Sequence, residues 1–202
     1  DDPEKRKECR RKMWVASGYL LELVNDILDM NKLESGEIVL EYEPFDIYDI
    51  FDDIFTLNEQ NAYKHNISLT FEKCENIHNR LIGSPLHVKR VLMNIISNAV
   101  KYGREGGYVK VSCKELSVTE DGKTAMLSIK CEDNGKGIGE DFRKVMYEPF
   151  RQENESARTS YQGTGLGLPI AKRLTEKMGG TIECESTKNV GTDFTIVLPL
   201  DI

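Results

Sequence analysis

The sequence contains no apolar run approaching the roughly 20 residues that a bilayer crossing needs, although 39% of its residues are hydrophobic. A soluble chain is expected. It also lacks a basic excess, because 27 Lys and Arg face 34 Asp and Glu for a formal charge of -7. Backbone binding to DNA or RNA rests on clustered cations that displace counterions, so a nucleic-acid partner is not expected. Any phosphate bound by this chain has to be held locally. No CxxC pair occurs among the five cysteines, Cys9, Cys74, Cys113, Cys131 and Cys184. Their scatter suggests neither zinc nor a redox couple, and reduced thiols in a cytoplasm are the simpler reading. The charged start, Asp1 to Arg11, has no apolar stretch of the kind a secretory signal carries, and reads as the edge of a piece or as a hairpin tip. Internal repeats are absent.

What is present suits one well-cored domain with an appendage, since 202 residues exceed the usual size of a single domain. From Lys5 to Leu33 the pattern is helical, with Trp14, Leu21, Val24 and Leu28 on one stripe and Leu20, Leu23 and Ile27 widening it. Gly36 is placed to end it. So broad an apolar face needs covering, either by its own domain or by partner helices, and a bundle partner is the preferred expectation. Alternation then predicts a strand over Ile38–Tyr42, a helix over Ile47–Tyr63 and a strand over Ile67–Phe71. A helix starting at Pro85 carries Val88, Val91, Leu92, Ile95, Ile96 and Ala99 as a core-facing stripe. Tyr108–Leu116 and Thr124–Cys131 read as a hairpin across the Asp121-Gly122 turn. Residues 151–162 are polar with almost no apolar anchor, which predicts a mobile loop acting as a lid. A helix over Leu166–Lys177, a stop at Gly179-Gly180 and strands Thr181–Glu185 and Asp193–Leu198 complete the chain.

Three clusters carry candidate chemistry. On the helix beginning at Pro85, Asn94, Asn98 and Lys101 stand at i, i+4 and i+7 and so share a face beside the apolar stripe. Asn disfavours helix interiors, so this spacing invites a ligand: an amide oxygen suits magnesium and a lysine suits phosphate, although a solvated polar face fits the spacing as well. After the last strand of the hairpin comes Asp133-Asn134-Gly135-Lys136-Gly137-Ile138-Gly139, whose alternating glycines let backbone approach a planar ligand while Asp133 accepts from an exocyclic amine. A plain turn is the other reading, and the acidic residues are too few for a calcium loop. Third, Gly163-Thr164-Gly165-Leu166-Gly167-Leu168 opens a helix whose free amides form an anion site. No Lys-Ser or Lys-Thr follows these glycines and no strand precedes them, which excludes a Walker loop and a dinucleotide fingerprint.

In this order the three clusters resemble the ATP-binding domain of sensor histidine kinases, within the group that includes gyrase, the heat-shock chaperone and the mismatch-repair ATPases. The resemblance runs from about Ser35 to Leu200. It implies that Asn94 and Asn98 hold magnesium, Lys101 meets phosphates, and Tyr102 packs near adenine. By the same resemblance Asp133 with Gly135, Gly137 and Ile138 forms the first glycine box. Glu148-Pro149-Phe150 is similar to the phenylalanine box that anchors the lid. Thr164, Gly165, Leu166, Gly167 and Leu168 belong to the second glycine box, and Thr192 after Gly191 lies near adenine.

The fold this implies is a two-layer α/β sandwich of the Bergerat type, a mixed sheet of about five or more strands with three helices on one face and an N-terminal helical arm. Residues 1–35 resemble the second helix of the dimerisation and phosphotransfer hairpin, and residues 36–202 the catalytic domain. No segment like the acceptor-bearing first helix precedes Asp1, and His65, His78 and His87 lack the acidic neighbour that follows an acceptor histidine in the family. No catalytic residue is therefore assigned. The implied cofactors are ATP and Mg2+, and the implied partners are the histidine helix of the longer protein, a second copy, and the receiver domain of a response regulator. The expected setting is a cytoplasmic domain, with membrane anchoring of the parent protein left open. Competing readings are a chaperone- or gyrase-like ATPase, which needs a carboxylate on the asparagine helix, a serine kinase acting on a sigma-factor system, which needs no leading helix, and a nucleotide-sensing module without catalysis.

Overall fold

The computed structural model describes residues 2–72, 77–153 and 163–202. Cys74 and most of the polar lid stretch, residues 154–162, lie outside the described residues. Helix α1 spans Pro3–Glu34. Asp2 caps it by accepting from the Glu4 amide at 3.0 Å. At the other end Gly36 takes a left-handed φ of +74° while the Glu37 amide donates to Lys32 O at 3.0 Å, a closure that glycine permits without strain. The stripe of Trp14, Leu21, Val24 and Leu28 is turned outward and exposed. The inward side of α1 holds Asp26 and Met30, both buried, with Ile27 and Leu33 packed on the core.

The strand expected over Ile38–Tyr42 does not form. Its alternation is real, since Ile38 packs on the core while Val39 and Tyr42 are exposed, but residues 38–42 join no ladder of the sheet, and a strand needs a partner for its backbone groups. The first strand is instead β1, Glu43–Asp46, followed by α2, Ile47–Lys64, and β2, Ser68–Glu72. Asp46 starts α2 by accepting from the Tyr48 amide at 2.9 Å. Then come β3, Arg80–Gly83; α3, Pro85–Tyr102; β4, Tyr108–Val118; β5, Thr124–Asp133; α4, Glu140–Val145; α5, Gly167–Lys177; β6, Thr181–Thr187; and β7, Gly191–Asp201. Three elements, β1, β3 and α4, had no expectation behind them, and all are too short to show a period.

The sheet is mixed and seven-stranded, ordered β1-β3-β7-β5-β4-β2, with β6 also paired to β7. All pairings are antiparallel except β2 with β4. Period-two alternation puts Val109, Val111 and Cys113 of β4, Leu127, Ile129 and Cys131 of β5, and Phe194, Ile196 and Leu198 of β7 on one face, all buried. Helices α2, α3 and α5 cover that face, making two layers, and the opposite face carries charged pairs such as Lys130 with Asp193 at 2.7 Å. Helix α1 rests on α5, joined by Arg173 Nη1 to Glu34 Oε1 at 3.0 Å. Among the described residues no helix is long and apolar enough to cross a membrane.

Ile96, wholly buried on α3, sits where helix layer meets sheet. Ile96→Ala is expected to lose about 2–5 kcal/mol of stability, read as a lower urea midpoint with an unchanged slope.

Candidate functional site

Burial of Val88, Val91, Leu92, Ile95, Ile96 and Ala99 fixes the rotation of α3 against the sheet. That rotation leaves the adjacent face, with Asn94, Asn98 and Lys101, lining a cavity of about 450 Å³. Asn94 Nδ2 is buried there with no hydrogen-bond partner among the described residues. A buried amide donor left unpaired costs stability, so its presence in a cavity wall points to a ligand role. The second glycine loop closes over this residue: a Cβ on Gly167 would lie 3.5 Å from Asn94 Oδ1. Lys101 Nζ lies 5.1 Å from the Tyr102 ring centroid and would be 2.8 Å from a Cβ on Gly163. Tyr102 lines the cavity too, and burial pushes its phenol above the ordinary value.

The opposite wall is built at the end of β5. Asp133 lines the cavity, and burial pushes its carboxyl up to about 6, against the pull of the Gly135 and Thr192 amides that bond it. The Gly135 amide donates to Asp133 Oδ1 at 2.8 Å. Gly135 itself is behind the wall, packed so tightly on the end of α3 that a Cβ would meet Tyr102 O at 2.6 Å. Gly137 and Ile138 line the cavity. At Gly137 φ is +59° and a Cβ would fall 2.0 Å from Thr187 O, so only glycine fits. The loop is held by Ser186, which the sequence did not single out. Its hydroxyl accepts from the Ile138 amide at 2.7 Å, donates to Gly191 O at 2.9 Å and meets Thr192 Oγ1 at 2.9 Å. One donor and two acceptor sites are thereby filled, leaving Thr192, a buried cavity residue, as the donor in that last pair.

In the second glycine loop Thr164, Gly165, Gly167 and Leu168 line the cavity, and Leu166 is fully buried beneath it. The loop opens α5, whose first-turn amides have no helical partners and form a positive end. Gly165, at φ +71°, presses on the backbone of residue 150: a Cβ would lie 2.8 Å from Phe150 C. Phe150 is exposed and stands outside the cavity lining. Its contribution is made by backbone, the Phe150 amide donating to Gly165 O at 3.0 Å, which ties residue 150 to the second glycine loop.

Further cavity residues were not foreseen: Asp26, Lys136, Glu153 and Lys188. Glu153 accepts from the Gly139 amide at 2.9 Å and pairs with Lys188 at 2.5 Å. Lys136 sits inside a motif that was read for its glycines, whereas Asp26 and Lys188 reach the cavity only through tertiary contacts. The carboxylates lining the cavity come from α1, β5 and residue 153, and none from α3. Among the described residues no group of three or more His, Cys, Asp or Glu is arranged to hold a metal. A cation here would depend on amide oxygens and on its ligand. The histidines lie outside the lining: His65 ends α2, His78 Nδ1 is 3.0 Å from Glu115, and His87 Nδ1 is 2.6 Å from Ser84 Oγ.

A helix of amides and a lysine, a carboxylate-led glycine loop and a glycine-opened helix around one cavity define an ATPase class. The family described as histidine kinase-, DNA gyrase B-, and HSP90-like ATPase matches residues 83–202, and the chain belongs to it. The curated relatives it matches include sensor histidine kinases. The sensor histidine kinase GacS of Pseudomonas protegens is 36% identical over 181 residues, covering 90% of this chain and 19% of that protein. BarA of Escherichia coli K12 is 32% identical over 188 residues, covering 93% and 20%. The chain thus spans about a fifth of the length of these relatives. Among solved structures, full-length ShkA in complex with AMPPNP has a TM-score of 0.79 at 25% identity, covering 98% of this chain and 39% of that one. The histidine kinase AdeS of Acinetobacter baumannii shares the fold, with a TM-score of 0.73 at 22% identity, covering 98% and 85%.

The raised Asp133 carboxyl has a signed consequence. Its ordinary value is 3.8 and its folded value about 6, so between these the native state binds more protons than the unfolded state and stability falls as pH rises. Comparison of Asp133→Asn with the wild type by urea unfolding from pH 3.5 to 7 should show the wild type losing ground to the variant across that window. Equal pH profiles would count against the burial effect.

Proposed function

We propose that the cavity holds ATP with magnesium, and that in its longer protein the module transfers the terminal phosphate to a histidine for relay to an aspartate of a response regulator. The observation that carries this is the convergence of Asn94, Asn98 and Lys101 with Asp133 and the α5 N-terminus on one cavity, where the Asn94 amide has an unpaired donor. Asp133 accepts from the exocyclic amine of adenine, with Tyr102, Ile138 and Thr192 beside the ring. Lys101 and the amides of Gly165, Gly167 and Leu168 hold the phosphates. Asn94 and Asn98 supply amide oxygens to magnesium, which neutralises phosphate charge when bound. Gly135, Gly137 and Leu166 shape the two loops, and Phe150 ties the lid to the second.

Phosphoryl transfer depends mostly on position and charge neutralisation, so this set of groups suffices to present a terminal phosphate. With no carboxylate on α3 to activate water, hydrolysis is slow and the phosphate waits for its acceptor. Residues 1–35 fit a helix of the dimerisation and phosphotransfer hairpin, leaving residues 36–202 as the catalytic domain. A histidine helix of the longer protein, a second copy and a receiver domain are then the partners. The complex of ShkA with AMPPNP favours a nucleoside triphosphate in this fold, and the naming of BarA as a signal-transduction histidine kinase favours relay over chaperone-type hydrolysis.

Calorimetry of ATP with magnesium tests the site. Wild type should bind, and Asn98→Ala should bind roughly 10- to 100-fold more weakly, the effect of removing one contact to a charged group. Mixing wild type and labelled ATP with a separately made histidine hairpin should label the hairpin. A folded wild type that binds no nucleotide would remove the basis of the whole reading, whereas binding without labelled hairpin would leave a nucleotide-sensing module.

A further inference from the structure

Asp26 belongs to α1, yet it lines the cavity and is only 4% exposed. One carboxylate oxygen meets the Arg90 guanidinium and the other accepts from the Thr164 hydroxyl at 2.8 Å. Arg90 also reaches Asp29 at 3.2 Å, so two carboxylates of α1 share one guanidinium, and the next cation at this end is Lys101 beside Gly163. Tyr19 ties α1 to the same glycine loop, its hydroxyl donating to Gly163 O at 3.2 Å. Arg90 precedes Asn94 by one helical turn, and Gly167 packs against Asn94. Asp26, Thr164, Asn94 and the start of α5 therefore form one end of the cavity, apart from Asp133 and Thr192.

On the nucleotide reading above, this end receives the phosphates. A neutral amide would satisfy the Thr164 hydroxyl equally well as an acceptor, and Asp29 would still partner Arg90, so the Asp26 charge beside an anion-binding loop is more than the Thr164 contact requires. With one magnesium each, ATP carries one more negative charge than ADP. In a site shielded from water, like charges a few ångströms apart repel with a strength that salt screens only in part.

We propose that Asp26 makes docked α1 a discriminator against the third phosphate: with α1 in place the cavity favours the diphosphate, and triphosphate occupancy loosens α1 from the second glycine loop. Linkage requires both halves together, because a ligand that weakens docking is itself weakened by docking to the same factor. Asp26 is thus a specificity-determining residue whose effect is lost when α1 moves away, which couples helix position to nucleotide state.

The test is calorimetry with magnesium, using AMPPNP and ADP on wild type and Asp26→Asn. The variant keeps an oxygen for Thr164, and Arg90 keeps Asp29. The AMPPNP-to-ADP affinity ratio is expected to rise about tenfold in the variant, with ADP affinity nearly unchanged. An unchanged ratio overturns the proposal. Should the variant fail to fold, hydrogen exchange on wild type decides: amides of α1 between Tyr19 and Met30 should exchange faster with AMPPNP than with ADP, and equal rates overturn it. Wild type that binds neither ligand would sink the nucleotide reading and this inference with it, a result distinct from binding both at an unaltered ratio.

Discussion

The structure turns on how α3 is seated. Its apolar residues are buried against the sheet, and a helix packed over so many interlocking side chains cannot rotate without breaking them all at once. That fixed rotation aims Asn94, Asn98 and Lys101 into the cavity. It also sets where the glycine loops must run, since Gly135 presses on Tyr102 O and Gly167 on Asn94. Core packing and site geometry are therefore one constraint here: two adjacent stripes of the same helix, one dry and one facing ligand.

This coupling explains why so much was legible in the chain. Long periodic elements such as α2, α3 and the β4–β5 hairpin carry their own signal, and the three clusters lie on or next to them. Ends shifted by a few residues, as in β7, because hydrogen bonds to a neighbouring strand prolong a ladder beyond its apolar pattern. The misreading of Ile38–Tyr42 has a similar cause: alternation reports which side chains face inward, and a strand also needs an edge to pair with. Asp26 and Ser186 were invisible for a different reason. Each acts through partners distant in sequence, Asp26 on Thr164 and Ser186 on Ile138, and neither belongs to a local pattern. Phe150 was foreseen as part of the site, but the tie it makes to Gly165 runs through the backbone, which no side-chain motif records.

The charge of the chain fits this division of labour. A net charge of -7 gives no general attraction for phosphate, so the favourable field has to come from the free amides of the second glycine loop and a few cations at the rim. Lys101, Lys136 and Lys188 line the cavity, and Lys188 is engaged by Glu153. Local dipoles of this kind are fixed by the fold and need no reorganisation when a ligand arrives.

Helix α1 is docked the opposite way from an ordinary amphipathic arm. Its apolar stripe faces outward, while contact with the rest of the molecule rests on Arg90 with Asp26 and Asp29, Arg173 with Glu34 and Tyr19 with Gly163, supplemented by Met30, Ile27 and Leu33. Exposed ion pairs such as Arg173 with Glu34 contribute about 0–1 kcal/mol each. A ligand shifts such docking only by its differential affinity for the docked and undocked states. Asp26, a buried charge in that contact, also touches the cavity, so a change at the phosphate end of the site acts on the helix through a group that holds it.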